Sequence, residues 1–343
     1  MSTPESQTSL WALPDAVPAV APGAELVELA QQLAPLTPGL RMGTSSWSFP
    51  GWRGLVWQGD HREAELAREG LRAYAGHPLL RTVSLDRSFY RPMSAAEYAA
   101  LAAQVPADFR FMVKAPAQIT DAVLRGPGGS ATEANPHFLD AQLTRQICIE
   151  PALAGLGDKL GALVFEISPL PQRWKRRPEA LLAALAQWLD ALPPLAALRA
   201  RAPEAVLALE LRDPELLAPE WMPQLATLLR HHGMRYCLGL HPRLPPIEQQ
   251  IPLLRALWPG PFVGRWSLNR RHGSAGYEVA KDLYAPFDRL VDPDPATRTE
   301  LARVMRATAV SGQPVLLSIN NKAEGSAPLS VIELAREIAG EGL

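Results

Sequence analysis

The sequence predicts an α/β protein, a (β/α)8 TIM barrel with an N-terminal Ala/Pro-rich extension, and three observations carry that prediction. Eight short segments alternate their residues between two faces, as strands do. Segments rich in Ala, Leu, Glu and Arg, the better helix formers, separate them. The strands end in polar or charged groups at their C-terminal ends, in phase with the second face. Strands that alternate with helices build parallel βαβ units. About 300 residues follow the N-terminal tail, ample for eight such units. An open doubly wound sheet is the rival, but no GxGxxG follows the first strand.

The strands run in order as RMGTSSW (41–47), LRTVSLD (80–86), FRFMVKAP (109–116), LGALVFEISP (160–169), LALELRDP (207–214), MRYCLGLHP (234–242), FVGRWSLN (262–269) and PVLLSINN (314–321). In 109–116, Phe109, Phe111 and Val113 oppose Arg110, Met112 and Lys114. In 160–169, Leu163, Phe165 and Ile167 oppose Val164, Glu166 and Ser168. In 207–214, three leucines oppose Ala208, Glu210 and Arg212. The same phase puts His241, Arg265, Ser267, Ser318 and Asn320 on the second face. A charge beside buried strands must be paired or reach solvent, and a barrel mouth offers both. Helices are predicted over 62–75, 94–104, 137–154, 178–190, 216–231, 247–257, 297–310 and 328–339.

Residues 1–38 form a separate extension, and 39–343 the barrel domain. WALPDAVPAVAPGAE favours an extended arm, partly disordered, and AELVELAQQLAP (24–35) one amphipathic helix against the barrel floor or a neighbour. The start, MSTPESQTSL, lacks a basic region and a cleavable apolar stretch, so a cytoplasmic protein is expected. No apolar run reaches transmembrane length, so no membrane is expected as a partner. A net charge of −1 gives no bulk pull toward nucleic acid or membrane. Cys148 and Cys237 make neither a disulfide framework nor a zinc motif, and read as small core residues. The seven histidines form no HExxH or other helix-spaced ligand pair. His231–His232 lie at a helix end, where the dipole explains them. No intrinsic metal and no cofactor are expected, Mg2+ entering only with a phosphate ligand.

Six segments resemble a known family: MGTSSWSFPGW (42–52), RTVSLDRSFYR (81–91), FRFMVKAPAQIT (109–120), LGALVFEISPLP (160–171), ALELRDP (208–214) and SINNKAEGSAP (318–328). Their order and spacing are similar to the YecE-like family, domain of unknown function 72, over about residues 41–340. The resemblance implies a TIM barrel and supplies no established reaction. Lys114, Glu210, Arg212, Arg265, Asn320 and Asn321 match the family's pattern. The chain departs from it elsewhere: Ser84 and Asp86 stand where the family has Glu and Asn, Asp121 where it has His, and Glu166 where it has Gln. The sequence therefore resembles a divergent branch.

The catalytic candidates are Glu210, Glu166 and Lys114. Glu210 and Glu166 are acid/base groups or members of structural ion pairs. Lys114 binds an anion, forms a Schiff base or closes a salt bridge. A glycosidase pair is disfavoured, because Phe165 precedes Glu166 and the seventh strand offers Arg265. The ligand-binding candidates are Arg212, Arg265, Asn320, Asn321, Asp86, Trp47, Tyr90 and His241. Trp47 and Tyr90 belong to an aromatic group with Phe49, Trp52 and Phe89 that would stack on a ligand or pack as a lid. Arg270, Arg271 and His272 precede a Gly-Ser-Ala-Gly loop that would cradle an oxyanion. The leading expectation is a small polar, anionic ligand at the C-terminal mouth, with hydrolase or isomerase chemistry on a phosphorylated or carboxylated sugar. A nucleic-acid-binding or nuclease-like barrel is the less favoured alternative. A barrel that binds without catalysis is the third.

Overall fold

The computed structural model describes residues 17–36, 39–126, 130–273 and 276–340. Eight parallel strands close a barrel in the order β1-β10-β9-β8-β7-β6-β3-β2. They are β1 (Leu40–Thr44), β2 (Leu80–Leu85), β3 (Arg110–Lys114), β6 (Leu160–Ile167), β7 (Val206–Leu211), β8 (Arg235–Leu240), β9 (Phe262–Trp266) and β10 (Val315–Ile319). Each falls on a predicted strand. Between β3 and β6 the chain makes an antiparallel hairpin, β4 (Val123–Arg125) with β5 (Ala131–Ala134), which the sequence did not predict. Both hairpin strands are largely exposed, so no face of either has to be apolar.

Two of the predicted helices differ in detail. The segment 137–154 divides into Ala141–Thr144, a π-type turn over Arg145–Ile149, and Glu150–Leu156. Pro151 has no N–H to give, so the ordinary hydrogen-bond ladder cannot run through it and widens there. The helix predicted over 216–231 starts only at Met222. Pro219 holds the preceding Ala218 in extended backbone, which bars a continuous helix. A helix at Tyr277–Tyr284 was not predicted, and it becomes part of the site.

Two apolar regions flank the strands. The outer one packs the barrel against its helices and holds the bulky residues predicted on the first faces, such as Phe109, Phe111, Phe165, Leu209 and Leu317. The inner one plugs the barrel with smaller side chains, Met112, Ala162, Val164, Val206, Ala208, Cys237, Val263 and Leu316. Charge lies above and below this plug. Along β3 the inward side chains run Arg110, Met112, Lys114, from floor to mouth. Cys148 and Cys237 are buried free thiols.

The described part of the N-terminal extension is anchored. Val20 N–H donates to Val56 O at 3.0 Å, and Gln58 N–H to Pro18 O at 2.9 Å. The Ala24–Leu33 helix buries Leu29 and Leu33, packs on the Ala327–Ala339 helix, and pairs Glu25 with Arg336. The rest of the predicted arm, residues 1–16 and 37–38, lies outside the described residues. Among the described residues, no helix is long and apolar enough to cross a membrane.

Candidate functional site

Six charged side chains meet at the C-terminal end of the barrel. The β6–β7 register sets Glu166 directly beside Glu210. On the next strand, Gly239 stands opposite Arg265 of β9. A Cβ on Gly239 would lie 3.5 Å from Glu210 Oε1 and 2.5 Å from Leu244 Cδ1. With no side chain in between, the Arg265 guanidinium reaches across β8. Its Nη1 donates to Glu210 Oε2 at 2.6 Å and to Glu166 Oε2 at 2.9 Å, and its Nη2 to Asp86 Oδ2 at 2.8 Å. Arg212 Nη2 donates to Glu166 Oε2 at 2.6 Å and lies 3.2 Å from Glu210 Oε1. Lys114 Nζ lies 3.1 Å from Glu166 and 3.6 Å from the centre of the Phe89 ring.

Three cations and three carboxylates thus form one network of zero formal charge. Glu210 is fully buried and Arg265 is 4% exposed. Burial alone would raise the Glu166 carboxyl, but Arg212, Lys114 and Arg265 outweigh it and hold it well below the usual carboxylate range. Burial would lower Arg212 and Arg265; the carboxylates around them raise both instead. For Lys114 burial wins over the attraction of Glu166, and its pKa is lowered.

The network floors a cavity of about 370 Å³ at the mouth. Lys114, Glu166 and Arg212 line its base, with Ser168, Pro169 and Ser267 beside them. Arg125, brought by the β4–β5 hairpin, and Arg243 stand at the rim with Tyr90, Phe89 and Tyr277. Tyr90 is 84% exposed. His241 lines the cavity too, and burial together with Arg212 and Arg243 pushes its pKa down to about 4, so it is neutral at physiological pH. Four cations and a single carboxylate line this space, although Arg125 also pairs with the buried Asp121.

The structure therefore brings Glu210, Glu166, Lys114, Arg212, Arg265 and Asp86 into contact, with Tyr90 and His241 on the cavity wall. Of the other three candidates, Trp47 and Asn321 lie elsewhere, while Asn320 hydrogen-bonds the cavity residue Tyr277. Trp47 is buried, its Nε1–H donating to Leu66 O at 3.0 Å, with Arg87 above its ring. Asn321 is buried too; its Oδ1 accepts from Trp52 Nε1–H at 3.2 Å and from the Ala327 N–H at 2.8 Å, so it anchors the last helix. Asn320 stays on the inward side, but its Nδ2 donates to Ser45 Oγ at 2.8 Å and ties β10 to β1. The arginine loop after β9 is engaged as well. Arg270 Nη1 donates to Leu244 O at 2.7 Å, Arg271 pairs with Asp292, and His272 Nε2 lies 2.6 Å from Tyr284 Oη. Residues 274–275 of that loop lie outside the described residues. Arg125, Arg243, Phe89 and Tyr277 were missed as cavity residues. Phe89 was visible as a member of the aromatic group, but the other three follow no strand or helix period that points them at the mouth.

A family model described as protein of unknown function DUF72 matches residues 41–342. The chain belongs to the DUF72 family. A solved DUF72 protein from Enterococcus faecalis aligns with TM-score 0.53 and 16% identity, over 87% of this chain and 94% of that one. A DUF72 protein from Thermotoga maritima aligns with TM-score 0.50 and 18% identity, over 86% and 97%. At such identities these structures support the shared barrel fold of DUF72 and carry no statement about its chemistry.

Proposed function

We propose that this DUF72 protein binds a small polar anion, bearing phosphate or carboxylate, in the mouth cavity. The observation that carries the reading is the division of charge there. The deep charges neutralise one another, while the charged side chains lining the cavity are four cations and one carboxylate. Arg243 is exposed and pairs with no carboxylate among the described residues, so it is free to meet a ligand. If chemistry follows binding, Lys114 is the proton-transfer group, and Arg212 and Arg243 stabilise negative charge. Glu166 and Glu210 then hold the cations in place. Hydrolysis or isomerisation of a phosphorylated or carboxylated sugar suits these groups.

A second reading, binding without catalysis, is favoured by the same self-neutralised network. Calorimetry with inorganic phosphate, followed by phosphorylated and carboxylated sugars, tests the anion site. Phosphate is expected to bind, and Arg243→Met to weaken it by about tenfold with no loss of stability, the worth of one charge-assisted hydrogen bond. Absence of binding, or binding that ignores Arg243, would overturn the proposal. Turnover of any sugar that Lys114→Met removes without loss of affinity decides for catalysis.

A further inference from the structure

A second set of potential ligands lies on the outside of the barrel, far from the mouth in the order of the fold. The Pro178–Ala191 helix ends with Asp190 in its last turn, and the Met222–His231 helix ends with His231, followed by His232 as its cap. The place of the two histidines at a helix end is by itself explained by favourable contact with the helix dipole. Folding supplies a partner from a different helix, Asp190. His232 Nε2 lies 3.5 Å from Asp190 Oδ1. The two imidazole rings stand edge to face with centroids 4.8 Å apart. One nitrogen from each histidine and one carboxylate oxygen all fall within 4.8 Å of one another.

We propose that Asp190, His231 and His232 form a binding site for a divalent transition-metal ion of the Zn2+, Ni2+ or Co2+ type. Two imidazole nitrogens and one carboxylate oxygen suit these borderline ions better than Mg2+ or Ca2+, which prefer all-oxygen shells. Metal bonds of about 2.0–2.2 Å place tetrahedral ligand atoms roughly 3.3–3.6 Å apart. The His232–Asp190 separation already meets that spacing, and His231 has to close by roughly 1 Å, which an exposed side chain does by rotating. Asp190 is 68% exposed and His232 16% exposed, so the entry path is open.

The surroundings add a second observation. Two concavities meet at the same three residues. One, of about 630 Å³, runs along Pro223, Thr227 and Leu228. The other, of about 450 Å³, runs along Pro193, Pro194 and Gly233. Three protein ligands would leave at least one coordination position for water or a further ligand. A bound ion would also join the ends of these two helices, and by binding only the folded chain it would stabilise it by mass action.

The test uses full-length protein with no affinity tag, washed free of metal with a chelator. Zn2+ titrated by calorimetry is expected to fill one site, Co2+ to give the visible spectrum of a site with mixed nitrogen and oxygen donors, and Mg2+ to give neither. Asp190→Asn, His231→Gln and His232→Gln should each weaken Zn2+ at least tenfold. His137→Gln, which alters the exposed His137–Asp140 pair, should change nothing. The Tm should rise with Zn2+ in the wild type and stay fixed in Asp190→Asn. Unchanged Zn2+ affinity in Asp190→Asn or His231→Gln, a stoichiometry other than one, or equal binding of Mg2+ would overturn the assignment. Should His232→Gln fail to fold, the two exposed positions decide the matter alone.

Discussion

The two ends of this barrel both carry arginines on inward strand positions, and they use them in opposite ways. At the floor, Arg110 Nη1 donates to Ala107 O at 2.8 Å and Phe109 O at 3.0 Å, and Arg41 Nε to Asp108 O at 3.2 Å. A single acid, Glu204, receives both guanidinium groups, Arg110 at 2.6 Å and Arg41 at 2.8 Å. Those cations are spent on the chain itself. At the mouth the inward cations are held by three carboxylates, and the lysine and arginine nearest the opening border a cavity. A buried arginine thus says little about function until its partners are known. At the floor the arginines are held by backbone carbonyls as well as by Glu204, whereas at the mouth two of the cations also border a cavity.

Breaking the deepest mouth pair should have the largest effect. Glu210→Gln leaves Arg265 and Arg212 short of a buried counter-charge, and a urea midpoint lower by the equivalent of about 3–5 kcal/mol is expected. Because Glu210 does not line the cavity, phosphate affinity should change little in the molecules that remain folded. A variant with normal stability and no phosphate binding would move Glu210 from the scaffold into the ligand's reach.

Next in size is Arg212→Met, which touches both the network and the cavity. It should reduce phosphate affinity by more than tenfold and also lower stability by about 2–4 kcal/mol, since Glu166 loses its closest cation. Loss of stability alone, measured by denaturant titration beside calorimetry, would make the mouth as structural as the floor.

Acid should weaken both ends, since Glu204 at the floor and Glu166 at the mouth are both held below the usual carboxylate range, Glu166 far below it. Glu166 has its folded pKa depressed below the unfolded value of about 4.3, so its contribution is present above that value and is lost as pH falls through the lower folded pKa. The wild type should therefore lose stability progressively below about pH 4, and Glu166→Gln should flatten that part of the profile. Urea midpoints across acidic pH measure it; parallel profiles for the two proteins would deny the depressed carboxylate. The smallest effect belongs to the floor. Glu204 is 36% exposed, so Glu204→Gln should cost only about 1 kcal/mol after solvent screening and leave phosphate binding untouched.

How far the residues alone foretell this contrast follows from periodicity. The two-residue alternation on β3, β6, β7 and β9 was enough to turn Lys114, Glu166, Glu210, Arg212 and Arg265 to the same side, and eight such strands implied closure. Loops have no such period. Arg125 reaches the rim on a hairpin whose strands need no apolar face, and Arg243 follows β8 in irregular chain. Trp47 and Asn321 were misplaced for a related reason. Position after a strand suggests the mouth, but the side chain goes where its hydrogen bond is, to Leu66 O for Trp47 and to the start of the last helix for Asn321. Asp190 with His231–His232 is a long-range juxtaposition that one strand or helix pattern cannot encode.

The internal neutrality of the mouth network has a consequence for ionic strength. Mobile ions screen exposed charges over about 8–10 Å under ordinary conditions, and they cannot enter a fully buried set of pairs. Added salt should leave the buried Arg265–Glu210 contact intact while weakening the pull of the rim arginines on an approaching anion. The barrel would then keep its shape across a wide range of salt while its capture of ligand slows, so that recognition and architecture answer to different properties of the same solution.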